Sequence, residues 1–213
     1  RTVSKVEEEG GEGGEGGGEG GVTKRVMEVE ALWQVVIEGF EAVWPEGRTK
    51  VDGYSLGDAW HHPALVGYKQ EGYKQEDAVV PFHKLSQWLT YSLMEPLQSA
   101  GFAIANLKLM TGLPEYRNGG LLLDLGMLVP KHSSVTSSSH AVESEVIVEW
   151  RALIVACLDV IGQKVREKLG KTEAELPLVA VLQGGTWTAG RKIAKEKRGG
   201  LPPINIISDG TVF

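Results

Sequence analysis

VESEVIVEWRALIVACLDVIGQKVREKL, residues 142–169, is the clearest regular pattern in the chain. Its apolar positions, Val146, Trp150, Leu153, Cys157, Val160, Ile161 and Val165, recur mostly at three- and four-residue steps, the period of one helix face. Arg166 and Lys168 occupy the last turns, where a helix dipole favours cations, and Gly170 follows as the stop. The pattern predicts a long amphipathic helix.

Working outward, residues 83–98 give a second helix pattern through Leu85, Trp88, Leu89 and Leu93. Residues 22–44 give another through Val29, Leu32, Val36, Phe40 and Val43, stopped at Pro45-Glu46-Gly47. Residues 99–113 are small and apolar and fit a strand or a helix. Residues 119–128 form a short apolar segment, and Ser133 to Ser139 reads as a loop. Downstream, residues 177–182 are apolar, Thr186 is placed to cap a helix over 187–198, and Gly199-Gly200 ends it. Residues 204–207 alternate toward a strand. Residues 48–80 are irregular, and a long irregular stretch is usually functional or poorly ordered. The expected fold is mainly α: one helical domain over residues 22–213, with a minor β element near the C-terminus.

Residues 1–21 are different. They include EEEGGEGGEGGGEGG at 7–21 and read as a disordered acidic linker, because Gly maximises chain entropy and the Glu side chains repel one another. This short segment holds −4 of the chain's net charge of −6, leaving 192 residues at −2. No general basic field is left to attract nucleic acid. The single Cys, Cys157, excludes an internal disulfide framework, and no apolar run of membrane-spanning length occurs. These features predict a cytoplasmic chain that binds neither nucleic acid nor membrane. GYKQE occurs twice in tandem, at 67–71 and 72–76, and marks a local duplication or a decayed copy.

Five His residues, His61, His62, His83, His132 and His140, show no ligand spacing, so no metal is expected, and no cofactor-binding loop is present. Three segments can carry chemistry. In GLPEYRNGG, residues 112–120, Glu115 and Arg117 set a carboxylate and a guanidinium beside Tyr116 in a turn. A turn with a surface ion pair is the commoner outcome for such residues. Asp124 follows within an apolar run, where a carboxylate needs a partner or a function. In GGTWTAGR, residues 184–191, Gly184, Gly185 and Thr186 fit a helix N-terminus that receives a phosphate, with Arg191 one turn on. A simple chain reversal fits them too. In GDAWHHP, residues 57–63, Asp58 and Trp60 join a carboxylate to an aromatic face, and His83 stands at a helix start. A loop packing its Trp, and a capping His, account for these equally.

PFHKLSQWLTYSL (81–93), TGLPEYRNGGLLLDLG (111–126), LQGGTWTAGRKIAKEKRGGLPPINIISDGTVF (182–213) and GDAWHHP resemble the uracil catabolism protein 4 family, a domain of unknown function. The resemblance covers residues 22–213 and corresponds to the family's C-terminal half, implying that the missing N-terminal half is needed for full function. It also implies a role in uracil degradation and a small-molecule substrate of the ribosyl phosphate type. LPEYRNGGLLLDLG is similar to the acidic-Tyr-Arg segment of the queuosine-nucleotide salvage glycosidases. Together these imply cleavage of the N-glycosidic bond of a ribosylurea-phosphate-like intermediate. Glu115 and Asp124 would be the carboxylates and Arg117 would orient the substrate, with Tyr116 beside it. Arg191 and the 184–186 backbone would hold the phosphate, and Trp60 or Trp88 would stack the planar group. Gln183 stands where the family pattern implies Glu. The alternative is a non-catalytic scaffold or regulatory partner of the ring-opening enzyme.

Overall fold

A computed structural model describes residues 25–65 and 78–212. The acidic linker and the tandem pentads therefore lie outside the described residues. In chain order the elements are β1 (Arg25–Glu28), α1 (Val29–Gly39), β2 (Lys50–Val51), β3 (Tyr54–Ser55), β4 (Ala59–His61) and β5 (Val79–Pro81). They continue with α2 (Lys84–Ser99), β6 (Phe102–Ala105), α3 (Tyr116–Asp124), α4 (Ser134–Ser137), β7 (Ser139–Ala141) and α5 (Glu145–Leu169). The chain ends with α6 (Leu178–Val181), α7 (Trp187–Arg198) and β8 (Asn205–Ile207). The fold is mainly α.

The strands form isolated pairs. β1 runs parallel to β6, with Val26 opposite Ala103 and Met27 opposite Ile104. β2 and β3 form a hairpin turned by Asp52 and Gly53, both at positive φ, the left-handed pair that a tight hairpin requires. β4 pairs antiparallel with β5, placing Trp60 opposite Val80. β7 pairs parallel with β8. The β content is thus more dispersed than the single C-terminal element expected, though β8 falls where the sequence indicates it. Residues 25–28 are strand where a helix was expected. The apolar triplet Val29, Leu32 and Val36 keeps its helix, and the residues before it are drawn into pairing with β6.

α5 is the axis of the fold. Ser144 opens it in extended conformation, and Gly170 closes it at φ +63 with its amide on the Arg166 and Glu167 carbonyls. Its buried face is rotated from the expected one. Ile147, Trp150, Ile154 and Leu158 face the core, while Leu153 is 40% and Val160 57% exposed. The helix is apolar around most of its circumference, so its period alone fits more than one stripe. Cys157 is a free, half-buried thiol beside this core. Leu113, Leu122, Leu182 and Ile204 complete the main cluster. Trp60, Phe82, Val142, Val148 and Val212 form a second. Val29, Leu32, Met94 and Met110 form a third beneath α1 and α2.

Residues 178–198 are helical throughout. A π-helical turn at Leu182–Thr186 joins α6 to α7 without a break, and Thr186 has helical angles of φ −63 and ψ −39. Thr186 is therefore no N-cap. Its buried hydroxyl instead donates to Asn118 Oδ1 at 3.0 Å, tying α7 to α3. At Gly190 an added Cβ would lie 2.1 Å from the Arg117 carbonyl oxygen. Only glycine permits that approach, and it sets the distance between α3 and α7.

Candidate functional site

Glu115 is the residue preceding α3, in extended conformation, and is 8% exposed. Its Oε1 accepts a hydrogen bond from the Trp187 indole N–H on α7 and another from Arg117 Nη1 at 3.3 Å. The two donors come from both sides of the close α3–α7 crossing, so the glycine at 190 is part of what orients the carboxylate. The Arg117 guanidinium lies 4.6 Å from the Trp187 ring centroid and 5.0 Å from that of Tyr116. Arg191 lies 4.2 Å from the same Trp187 ring. Two cations against one indole, beside a carboxylate that the indole itself holds, make a compact polar site. Glu115, Tyr116, Arg117 and Arg191 are brought together as a group.

A second cluster lies behind this one. Asp58 and Arg151 are both fully buried and paired bidentately, with both N–O distances 2.7 Å. Asp58 also accepts from the Trp60 indole at 2.7 Å and from the Lys84 amide at 3.0 Å. Burial pushes the Asp58 pKa up, but the Arg151 guanidinium and the Trp60 and Lys84 donors outweigh it and hold the carboxyl below its usual range. The Arg151 guanidinium lies 4.1 Å from the Phe82 ring centroid and donates to the Val212 carbonyl at 3.3 Å. This pair clamps β4, the start of α2, α5 and the C-terminal segment to one another.

Lys84 connects the two clusters electrostatically. Burial lowers its pKa; the Glu115 and Asp58 carboxylates oppose that, and Arg151 and Arg117 add to it. His83, just before it, has a lowered pKa through burial, opposed by Asp58 and assisted by Arg151.

Three expected roles do not fit this arrangement. Asp124 is the last residue of α3, about 13 Å along the helix from Glu115 at roughly 1.5 Å per residue. Its carboxylate is engaged bidentately by Arg198 at 2.6 Å, so it locks the far ends of α3 and α7 together. Gly184 and Gly185 lie inside a continuous helical stretch with Thr186, where the amides belong to the helix, so no helix N-terminus opens there for phosphate. Trp60 is buried, bonded to Asp58 and covered by Arg48 at 4.8 Å from its ring, which leaves no face for a substrate. Trp88 is 54% exposed on α2.

Arg151, Lys84 and Trp187 were missed as site residues. Arg151 was detectable: it is a lone base within the apolar run VIVEWRALIV, and a cation there requires a buried acid. Lys84 had no signal beyond adjacency to His83. Among the described residues, no group of three or more His, Cys, Asp or Glu gathers to hold a metal ion, and no helix is long and apolar enough to cross a membrane.

The segments GDAWHHP, PFHKLSQWLTYSL, TGLPEYRNGGLLLDLG and the C-terminal block thus meet around Asp58 and Glu115. A family described as "Protein of unknown function (DUF1688)" matches residues 17–213. The chain belongs to the DUF1688 family. It is 39% identical over 210 residues to Uracil catabolism protein 4 of Lachancea kluyveri, covering 88% of this chain and 46% of that protein. It is 41% identical over 191 residues to Protein urg3 of Schizosaccharomyces pombe, covering 88% and 45%. This DUF1688 chain therefore spans about half the length of the curated relatives it matches. No solved structure matches it significantly.

Proposed function

We propose that this DUF1688 chain acts in uracil catabolism and cleaves the N-glycosidic bond of a ribosylurea-phosphate-like intermediate. The observation that carries this reading is the Glu115 carboxylate, held by Trp187 and Arg117 and rimmed by Arg191. The name of the Lachancea relative supports the pathway.

In the reaction the bond between the ribosyl C1′ and the urea nitrogen breaks, and water adds to C1′. One water proton goes to the leaving nitrogen, giving urea and ribose phosphate. Positive charge builds on the ribosyl ring as the bond breaks, and a carboxylate beside it lowers that barrier. Glu115 takes this role, accepts a proton from the attacking water and passes it to the leaving nitrogen. Arg117 and Arg191 hold the phosphate, replacing the backbone cradle considered from the sequence. With Asp124 committed to Arg198, one carboxylate serves the site.

Incubating the full-length protein, its N-terminal half included, with ribosylurea phosphate and assaying urea tests the proposal. Urea release that disappears in Glu115→Gln supports it; no urea from a folded sample sinks it. Pathway function retained in the Glu115→Gln variant, together with capture of the ring-opening enzyme, would favour the scaffold reading.

A further inference from the structure

β1 and β6 form a parallel pair that the described residues leave unfinished. The strands face each other over Arg25–Glu28 and Phe102–Ala105, and among the described residues neither pairs with any other strand. Residues 102–105 enter no further backbone hydrogen bond there. Parallel strands ordinarily lie inside larger sheets, because their slanted ladder is slightly weaker and an open edge leaves polar groups unpaired. The α1–α2 cluster covers one face through Met27 and Ile104. Nothing comparable covers the edges.

The edge of β6 lacks the usual protection. Edge strands commonly resist further pairing with a charge, a proline or a bulge. Phe102-Ala103-Ile104-Ala105 has no charge and no proline, and it pairs residue for residue without a bulge. β1, by contrast, carries Arg25 and Glu28 at its ends. Asn106, left-handed at φ +59, follows β6 and donates from Nδ2 to the Glu28 carboxylate at 2.7 Å. That contact ties the strand ends together and fixes the edge in place.

Ile104 also stands on the wall of a groove of about 710 Å³, which lies between residues 106–111 and Arg166, Glu173 and Pro177. Leu109 in its wall is 54% exposed. The Arg166 side chain is 17% exposed, yet it reaches the Leu176 carbonyl only at 3.5 Å and the Glu173 carboxylate only at 3.7 Å. These contacts are long for a guanidinium and leave donors for the carbonyls of an incoming segment.

The occupant has to supply a strand. The Gly-Glu tract at residues 7–21 lacks the β-branched and aromatic residues that strands favour. The curated relatives match 88% of this chain but only 46% and 45% of their own length, so more than half of each lies beyond what this chain spans. A strand tethered in the same polypeptide also competes well against a second copy. We propose that the half of the DUF1688 polypeptide which this chain does not span adds a strand to the open edge of β6 and runs on into the groove. This docking does not rest on the glycosidic reading.

Amide hydrogen exchange on the full-length protein, resolved to single residues across 102–105 and run without substrate, tests it. A parallel strand with one neighbour bonds alternate amides, and one with two neighbours bonds them all. All four amides are expected to exchange at least about a hundredfold slower than unstructured chain. A lysine-reactive photo-cross-linker on Lys108, in the groove wall, is expected to capture a residue of the added half. Alternate amides exchanging freely in the folded full-length protein overturn the proposal. So do cross-links from Lys108 that stay within residues 1–213. Protection that grows with protein concentration alongside a dimer also overturns it and assigns the edge to a second copy. None of these results bears on urea release.

Discussion

Glu115 precedes and Asp124 ends the same short helix, yet their neighbours assign them different work. Asp124 meets Arg198 in a matched fork, and its side chain is 5% exposed. Asp124→Asn is therefore expected to cost about 1–3 kcal/mol in denaturant unfolding, the usual range for a hydrogen-bonded charge at a half-buried site. Its rate of urea release should stay at the unsubstituted level. Arg191 behaves oppositely. It is exposed and its recorded partner is the face of Trp187, so the fold does not depend on it. Arg191→Ala should raise KM for the phosphate substrate roughly tenfold to a hundredfold by removing a charge-assisted contact, with stability unchanged within about 0.5 kcal/mol. Steady-state kinetics on both variants separates a structural carboxylate from a binding guanidinium.

At the scale of elements, glycine does two different jobs in one helical stretch. Gly190 abuts the Arg117 carbonyl, a backbone atom that cannot turn aside, while nothing lies within 4 Å of the Cβ position at Gly184. Gly190→Ala should lose about 1–3 kcal/mol through overpacking, beyond any gain in helix propensity, and should lower kcat by moving Trp187 off Glu115. Gly184→Ala should gain up to about 1 kcal/mol. Thermal melts of the pair, read for sign, check this. The sequence located α7 and nearly all of α2 and α5, because capping residues and 3.6-residue periods are local signals. It read a break before α7 where a π turn through Gly-Gly continues the helix from α6. It also put Leu153 and Val160 on the buried stripe of α5 and left out Ile147, Ile154 and Leu158, since apolar residues on several sides leave the choice to tertiary packing.

Across the whole molecule, the buried Asp58–Arg151 pair joins positions 93 residues apart. No local pattern could announce that partnership, although Arg151 within an apolar run implied that some acid must come to it. Asp58 has a lowered folded pKa, so its stabilisation is complete above the unfolded value near 3.9 and is lost as pH falls through the lower folded value. Asp58→Asn should cost about 3–5 kcal/mol at pH 7 by stripping Arg151 of its counter-charge. It should also flatten the loss of stability below pH 4 expected of the unsubstituted protein. Unfolding midpoints measured from pH 3 to 7 test both. The C-terminal segment belongs to the same assembly, with Asp209 and Thr211 on the buried Arg48 and Val212 in the core. The four segments legible as a family signature thus gather around Arg151 of α5 and present Glu115. The carboxylate is a candidate from its turn alone, whereas its neighbours Lys84 and Trp187 emerge only from the assembled structure.

Urea release from ribosylurea phosphate, compared between the unsubstituted full-length protein and its Glu115→Gln variant, tests the role of this carboxylate most directly. The expected result is urea formation that falls by at least about a hundredfold in Glu115→Gln, the scale of losing a positioned acid–base group, with the variant still folded. Urea formed at the same rate by both proteins, or by neither while both remain folded, would contradict it.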